Sequence, residues 1–211
     1  MVARAAPAQA LLAPYLDVLA RFGAGPERAA YPGSPLIARE LLRPQDRLTA
    51  CEKEPGAARA LAAALARDRR AKTVAIDGWT ALAAYVPPKE RRGLVLVDPP
   101  FEAADEFARL AEKFAAAFRK WPTGIFMLWY PLKDPQASQR LAQALAGLRI
   151  PKLLRAELAL APQATGERLR GSGLMIANPP WRIADELAVL QPALAAALAP
   201  DGRGRTRLDW L

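Results

Sequence analysis

Apolar and polar positions follow two periods along this chain, and the switches between them set out its elements. Leu12, Tyr15, Leu16, Leu19 and Phe22 recur at helical spacing, which predicts an amphipathic helix over residues 8–22. In Tyr31-Pro-Gly-Ser-Pro, Pro32-Gly33 reads as a turn, Ser34 as a helix cap and Pro35 as a first-turn proline. Short apolar runs at 46–52, 73–77 and 94–97 predict strands, separated by an alanine-rich helix over 56–67 and a short one over 80–85. The run at 94–97, Leu-Val-Leu-Val, has no polar alternation, which predicts a central parallel strand covered on both faces. Beyond it the pattern predicts a helix over 103–121, a strand over 124–130 and a helix from Asp134-Pro135 to Gly147. Strands over 152–160 and 173–178, a helix over 183–198 and a basic, extended tail over 203–211 complete the chain. Such alternation predicts an α/β fold with a mostly parallel sheet and helices on both faces, in a single domain over residues 1–211 without linker or repeat.

Three successive predicted strands end at an acid, Glu52, Asp77 and Asp98. Open α/β sheets bind ligands outside the carboxyl ends of their strands. Glu52 suits ribose hydroxyls; with Lys53 and Glu54 directly behind it, plain surface charge is the alternative. Asp77 followed by Gly78 offers a side-chain acceptor with close backbone approach, as the edge of a cofactor base requires. Gly23 and Gly25 resemble a phosphate-cradling loop in composition only, because that loop must follow a strand and these follow a helix. They read as a helix end and turn.

Composition narrows the chemistry. With 52% hydrophobic residues in 211, the chain has ample material for a core. Lys and Arg outnumber Asp and Glu by 30 to 21, and the net charge of +9 suits a polyanionic partner. An arginine-rich coding bias that loads any surface with guanidinium groups is the alternative. The complete absence of histidine excludes Ser-His-Asp and Cys-His catalysis and the commonest zinc sites, so no metal is expected. A single cysteine, Cys51, excludes an internal disulfide and fits a reducing, cytoplasmic setting. No apolar run approaches membrane-spanning length, and no membrane partner is expected.

The strand at 94–97 delivers Asp98-Pro-Pro-Phe101, in which two prolines stop further pairing and hold an acid and an aromatic together. An exocyclic amine such as adenine N6 is a poor nucleophile, because its lone pair is delocalised into the ring. A carboxylate and a proline carbonyl that accept hydrogen bonds from it localise that pair for attack on an electrophilic methyl, and an aromatic neighbour stacks on a flipped base. A strand end with an Asp-capped turn is the plainer reading of the same residues. The pattern has a second copy, Asn178-Pro-Pro-Trp181, and both cannot be the site. Trp129 and Tyr130 are further candidates for base stacking, or for core packing.

Tyr31-Pro-Gly-Ser-Pro-Leu-Ile-Ala-Arg39, Arg91-Arg-Gly-Leu-Val-Leu-Val-Asp-Pro-Pro-Phe101, Leu128-Trp-Tyr-Pro131 and Asn178-Pro-Pro-Trp181, in this order and spacing, resemble the RlmJ family. Its members are bacterial methyltransferases that modify N6 of an adenine in 23S ribosomal RNA with S-adenosylmethionine. The resemblance implies a Rossmann-like class I S-adenosylmethionine-dependent methyltransferase fold, with catalysis by Asp98, Pro99, Pro100 and Phe101. It puts cofactor contacts at Ser34, Glu52, Asp77 and Gly78, and settles the duplicated motif in favour of Asp98. Residues 1–45 match the family's helical insertion and 46–211 its sheet and helices. The family's first strand, which runs between the strands ending at Glu52 and Asp98, and its Gly-rich loop have no counterpart here. The expectations are therefore a chain shortened at its start that binds the cofactor weakly or not at all by itself, and a monomer when complete. The alternative is a non-catalytic RNA-binding homologue that has lost the cofactor. Methylation of a protein glutamine, a third possibility, calls for Asn-Pro-Pro at the main site, where this chain has Asp98.

Overall fold

The structure is a computed structural model that describes residues 5–23, 31–160, 169 and 171–211. It resolves into two compact units, residues 1–81 and 82–211.

In the first unit α1 (Ala5–Arg21) and α2 (Ser34–Glu40) precede a two-stranded parallel sheet. Its strands β1 (Leu48–Glu52) and β2 (Ala71–Ala75) are joined by α3 (Pro55–Leu65), which packs on both. Helix α3 starts where Glu54 caps it, accepting from Gly56 N at 2.8 Å and from Ala57 N, and Pro55 occupies its first turn. The division between the units falls within helix α4 (Gly78–Tyr85). Helix α1 ends at Gly23, whose φ of +63° is the left-handed turn expected there; Gly25 lies outside the described residues. Two expectations need correction. Helix α1 buries Ala8 and Val18 rather than the full Leu/Tyr stripe, and Leu16 is exposed. Ser34 does not cap α2: Gly33 takes the cap position and Ser34 the first helical one, without a side-chain cap bond.

The second unit is built on a five-stranded sheet in the order β3-β4-β6-β5-β7. These strands are β3 (Leu94–Val97), β4 (Ile125–Pro131), β5 (Leu153–Ala159), β6 (Gly171–Ala177) and β7 (Arg205–Trp210). Helices α5 (Glu106–Lys120) and α6 (Pro135–Ala146) pack on each other, and α7 (Ile183–Leu198) runs along β5 and β7. Only β3 and β4 are parallel here; the β4–β6, β6–β5 and β5–β7 pairs are antiparallel. The sheet is therefore mixed rather than mostly parallel. Strand β6 runs antiparallel to β5, and the tail read from the sequence as extended adds itself as an antiparallel edge.

Strand β3 also departs from expectation. The departure is in its cover: it alternates in exposure, with Leu94 57% and Leu96 45% accessible, while its pairing with β4 alone among the described residues is what the absence of the family's first strand leads one to expect. A continuous apolar run cannot distinguish a strand covered on both faces from an edge strand covered on one. Among the described residues strand β1 likewise pairs with β2 alone.

On one face of the sheet Phe126, Leu128 and Tyr130 of β4 are fully buried, while β5 and β6 are buried on both faces, with Leu153 and Leu154 and then Met175 and Ile176 buried in succession. Phe114 and Phe118 of α5 meet Phe126 at centroid distances of 5.4 and 6.0 Å, and Phe107 meets Tyr130 at 6.5 Å. Gly173 faces Tyr130 in the ladder, and a Cβ there would sit 2.2 Å from Tyr130 Cζ. The missing side chain lets the phenol cross β6 and donate to Glu157 Oε1 on β5 at 2.7 Å. On the same ladder Arg155, 2% exposed, donates to both Asp209 carboxylate oxygens at 2.8 and 2.6 Å. This bidentate pair holds β7 to β5.

Candidate active site

Strands β3 and β4 run parallel with Val97 level with Leu128, so Asp98 leaves the sheet beside Trp129 at the carboxyl ends of both. Phe101 follows in the left-handed region, with φ +52°. This is a strained conformation for a large non-glycine residue, and such strain concentrates where surrounding structure fixes a side chain for function. The surrounding structure here is aromatic. Phe107, from the first turns of α5, lies 4.8 Å from the Phe101 ring, and Trp129 meets it edge-on at 5.9 Å. Pro99 is buried between the exposed Asp98 and Pro100. The loop is thus a rigid platform, with a carboxylate at one end and an aromatic cluster at the other.

The Asp98 carboxylate has no hydrogen bond or ion pair to any described residue. Solvent still reaches it on one side, yet the surrounding protein desolvates it enough to raise its pKa above the ordinary carboxylate range. An unpartnered, partly desolvated acid is a strong acceptor for a donor brought to it. It has not been spent on capping a turn.

The second copy of the motif differs at each of these points. Ala177 of β6 is level with Phe126, and β6 runs antiparallel to β4. Asn178 therefore emerges level with Ile125, and Asp98 level with Trp129: four residues, or about 13 Å, apart along the strands and at opposite ends of the sheet. The Asn178 amide donates to Pro122 O at 2.7 Å and Gly124 O at 2.9 Å. Both of its amide hydrogens are thereby committed to bracing the turn into β4. Its own φ of +52° is one that asparagine tolerates. Trp181 has no aromatic neighbour among the described residues and is 87% exposed.

In the first unit Glu52 and Asp77 leave the same end of the two-stranded sheet, Glu52 being level with Ala75 and Asp77 two residues further on. Glu52 Oε1 accepts from Glu54 N at 2.8 Å, and Oε2 makes no bond to a described residue. Asp77 Oδ1 caps α4 through Trp79 N at 3.0 Å and Thr80 N at 3.1 Å. These backbone donors, that of Thr80 foremost, hold the acid below its ordinary range. Its Oδ2 faces only the exposed Lys53, at 3.5 Å. Gly78 is open, since a Cβ there would meet nothing within 4 Å. Ser34 is exposed on α2. The residues present fit an adenosine-bearing cofactor in kind: a free acceptor oxygen on Glu52, a second on Asp77 that only an exposed lysine approaches, and one backbone position that no side chain obstructs. Cys51, half-buried on β1, has its thiol pushed up by desolvation, the opposite of a reactive thiolate. Among the described residues no group of three or more acidic or sulfur ligands comes together as a metal site, and no helix is long and apolar enough to cross a membrane.

Phe107 was not singled out by its sequence, where it is one apolar position of a predicted helix. Its role follows from the turn of chain at 102–105, which brings the start of α5 back over Phe101. Of the two readings open for Tyr130, base stacking or core packing, the second holds: it is fully buried.

The profile of the family described as "RsmJ: Ribosomal RNA large subunit methyltransferase D, RlmJ" matches residues 2–211. The chain belongs to this family. It is 36% identical over 197 residues to the ribosomal RNA large subunit methyltransferase J of Escherichia coli K12, covering 93% of this chain and 70% of that protein. It is 35% identical over 187 residues to the protein of that name from Haemophilus influenzae, covering 89% of this chain and 66% of its relative. The crystal structure of a Legionella pneumophila protein superposes with a TM-score of 0.87 at 29% identity, covering 94% of this chain and 73% of that one. The family that the four motifs resemble is the one found. The α/β, Rossmann-like methyltransferase fold expected with it is borne out too, although more of the sheet is antiparallel than the element order predicts.

Proposed function

We propose that residues 1–211 form one methyltransferase domain that transfers a methyl group from S-adenosylmethionine to N6 of an adenine in 23S ribosomal RNA. The observation that carries this reading is the Asp98 carboxylate: unpartnered, raised in pKa and beside the Phe101–Trp129–Phe107 cluster, while Asn178 in the twin motif is tied to backbone carbonyls. Family membership supports ribosomal RNA as the substrate.

Phe101 stacks on the flipped adenine, and its strained backbone keeps the ring from following the base back out. Asp98 and the Pro99 carbonyl accept hydrogen bonds from the two N6 hydrogens, which turns the nitrogen lone pair out of the ring plane. When bound, S-adenosylmethionine supplies an electrophilic methyl on sulfur. As the N–C bond forms, Asp98 holds the N6 proton that must be lost; desolvation makes it a better proton acceptor than a carboxylate in water. Ser34, Glu52, Asp77 and Gly78 are the residues proposed to hold the cofactor, Glu52 through its free oxygen and Asp77 through Oδ2. Alignment of amine and methyl supplies most of the acceleration, without a covalent enzyme intermediate.

The test is incubation of unmodified 23S RNA with labelled S-adenosylmethionine, followed by nucleoside mass spectrometry. N6-methyladenosine formed by the wild type and lost in Asp98→Asn supports the reading. A different methylated nucleoside refutes it. Calorimetry with S-adenosylmethionine separates it from the alternative of a non-catalytic RNA-binding homologue, which predicts RNA binding without cofactor binding.

A further inference from the structure

The end of the five-stranded sheet opposite Asp98 collects cations and exposed tryptophan, and we infer that it is a second RNA-binding surface that holds an unpaired stretch of the substrate outside the target nucleotide. The inference rests on the reading of the chain as an RNA-modifying protein and extends it to a surface that the reaction itself does not use.

The topology makes this gathering. Arg91 and Arg92 precede β3, and the carbonyl of Gly93 just before that strand accepts from Ile125 N at the start of β4. Arg119 sits in the last turn of α5, just before the turn that Asn178 braces into β4. Arg149 and Lys152 precede β5, and the Lys152 carbonyl accepts from Asn178 N. Trp181 follows β6, and Trp210, 56% exposed, ends β7 level with Leu154, at the same end of the sheet. From β3 to β7 the row crosses four strand intervals, about 19 Å at the usual spacing. Arg91, Arg92, Arg119, Arg149 and Lys152 are all exposed, and none makes an ion pair with a described residue. Glu90 and Asp185 are the carboxylates without a cationic partner nearby; Glu186 pairs with Arg182 at 3.6 Å.

Two features select unpaired RNA. Trp181 is 87% exposed, an accessibility that costs apolar hydration and gains nothing for the fold. The Arg182 guanidinium lies 5.8 Å from the Trp181 ring centroid, so one indole face has a cation beside it. Free cations for a backbone, interleaved with an aromatic face for unstacked bases, is the composition that binds single strands without sequence readout. The catalytic loop cannot supply this attraction, because residues 98–105 include Asp98, Glu102 and Asp105 and no cation. The basic tail contributes little, since Arg203 pairs with Asp201, Arg205 donates to backbone carbonyls and Arg207 pairs with Asp209.

The probe is a fluorescein-labelled 12-nucleotide oligouridine, its binding to the 1–211 chain followed by anisotropy over a salt series without cofactor. Each phosphate that is no longer neutralised makes the slope of log K against log salt shallower by about 0.7. The Arg91→Gln/Arg92→Gln/Arg149→Gln/Lys152→Gln variant is therefore expected to lose about 2–3 from the slope, and Trp181→Ala to bind roughly 5- to 150-fold more weakly, the range for one base–aromatic stack. All five side chains are exposed, and unchanged melting temperatures verify the fold. Wild-type affinity and slope in both variants overturn the inference. So does a polyglutamate peptide that binds the wild type through these residues while the oligouridine does not bind it at all, which assigns the surface to acidic protein. Because the assay needs neither cofactor nor methyl transfer, a protein that binds here but methylates nothing leaves this inference standing and refutes only the proposed activity.

Discussion

Replacing Asp98 with asparagine separates catalysis from stability more cleanly than any other single change in this protein. The amide keeps the volume and one acceptor oxygen and removes the charge. In the folded chain the carboxylate has no partner among the described residues, so no cap, ion pair or ladder bond breaks. Its pKa is raised by desolvation, and the sign of the linkage follows. A group whose folded pKa lies above its unfolded value contributes stability that is present below the unfolded pKa, about 3.9, and lost as pH rises through the folded value. At neutral pH the wild type therefore carries a desolvated charge that the variant lacks. Asp98→Asn should melt at or above the wild-type temperature at pH 7, and the advantage should fade as the pH falls through the raised folded value and be gone below about 4.

Rate should behave in the opposite sense. A hydrogen bond to a charged group contributes about 1.5–3 kcal/mol. If that bond strengthens as N6 is attacked, its loss lowers kcat by roughly 10- to 150-fold at 1.36 kcal/mol per decade, with little change in KM for RNA. Single-turnover methyl transfer to unmodified 23S RNA, in a protein carrying these residues, measures the rate, and thermal melting of the same samples measures the fold. A cap role for Asp98 predicts the reverse pattern: a loss of about 1 kcal/mol, or some 2–4 °C, with the rate intact. A kcat within about tenfold of wild type would refute the catalytic assignment.

Phe101→Ala should cost about 1–3 kcal/mol of base stacking, read as a rise in KM for RNA and a fall in kcat, whereas Phe101→Tyr should be nearly silent. Gly173→Ala should destabilise by about 1–3 kcal/mol or more, measured by urea unfolding, because its Cβ would fall 2.2 Å from a Tyr130 ring that has no free space to move into. Asp209→Ala leaves Arg155 buried without its carboxylate and should cost about 3 kcal/mol, the lower end of the range for a broken buried pair, since Asp209 itself is partly exposed. Hydrogen bonding to Arg155, above all, holds the Asp209 pKa low, so this part of the stability is present above about pH 4 and lost as the pH falls through the folded value. Acid unfolding of Asp209→Asn should accordingly start from a lower plateau and show a shallower loss below pH 4.

What the sequence could disclose, and what it could not, follows from the range of the forces involved. Caps, turns and apolar runs are local: Asp134 accepting from Gln136 N at the start of α6, and α7 over residues 183–198, are decided within a few neighbours and are found where the pattern puts them. Strand direction and burial are non-local. Leu-Val-Leu-Val at 94–97 has the same side chains whether helices cover both faces or one, and only the structure reveals Leu94 and Leu96 in solvent. The site shows the same division. Asp98 and Phe101 were legible because two prolines fix four consecutive residues, while Phe107 was hidden behind a loop whose path no periodicity encodes. The twin motifs are the sharpest case. Asp98-Pro-Pro-Phe101 and Asn178-Pro-Pro-Trp181 cannot be ranked by local chemistry alone, since each has a polar head, two prolines and an aromatic. Strand register separates them, because β4 is parallel to β3 and antiparallel to β6, and that sends the two loops out of opposite ends of one sheet. One loop then has a free carboxylate against an aromatic cluster, and in the other the amide is consumed by Pro122 and Gly124 while Trp181 and its cationic neighbours face solvent. A shared four-residue pattern thus becomes two different surfaces, and the difference arises from the direction of β6.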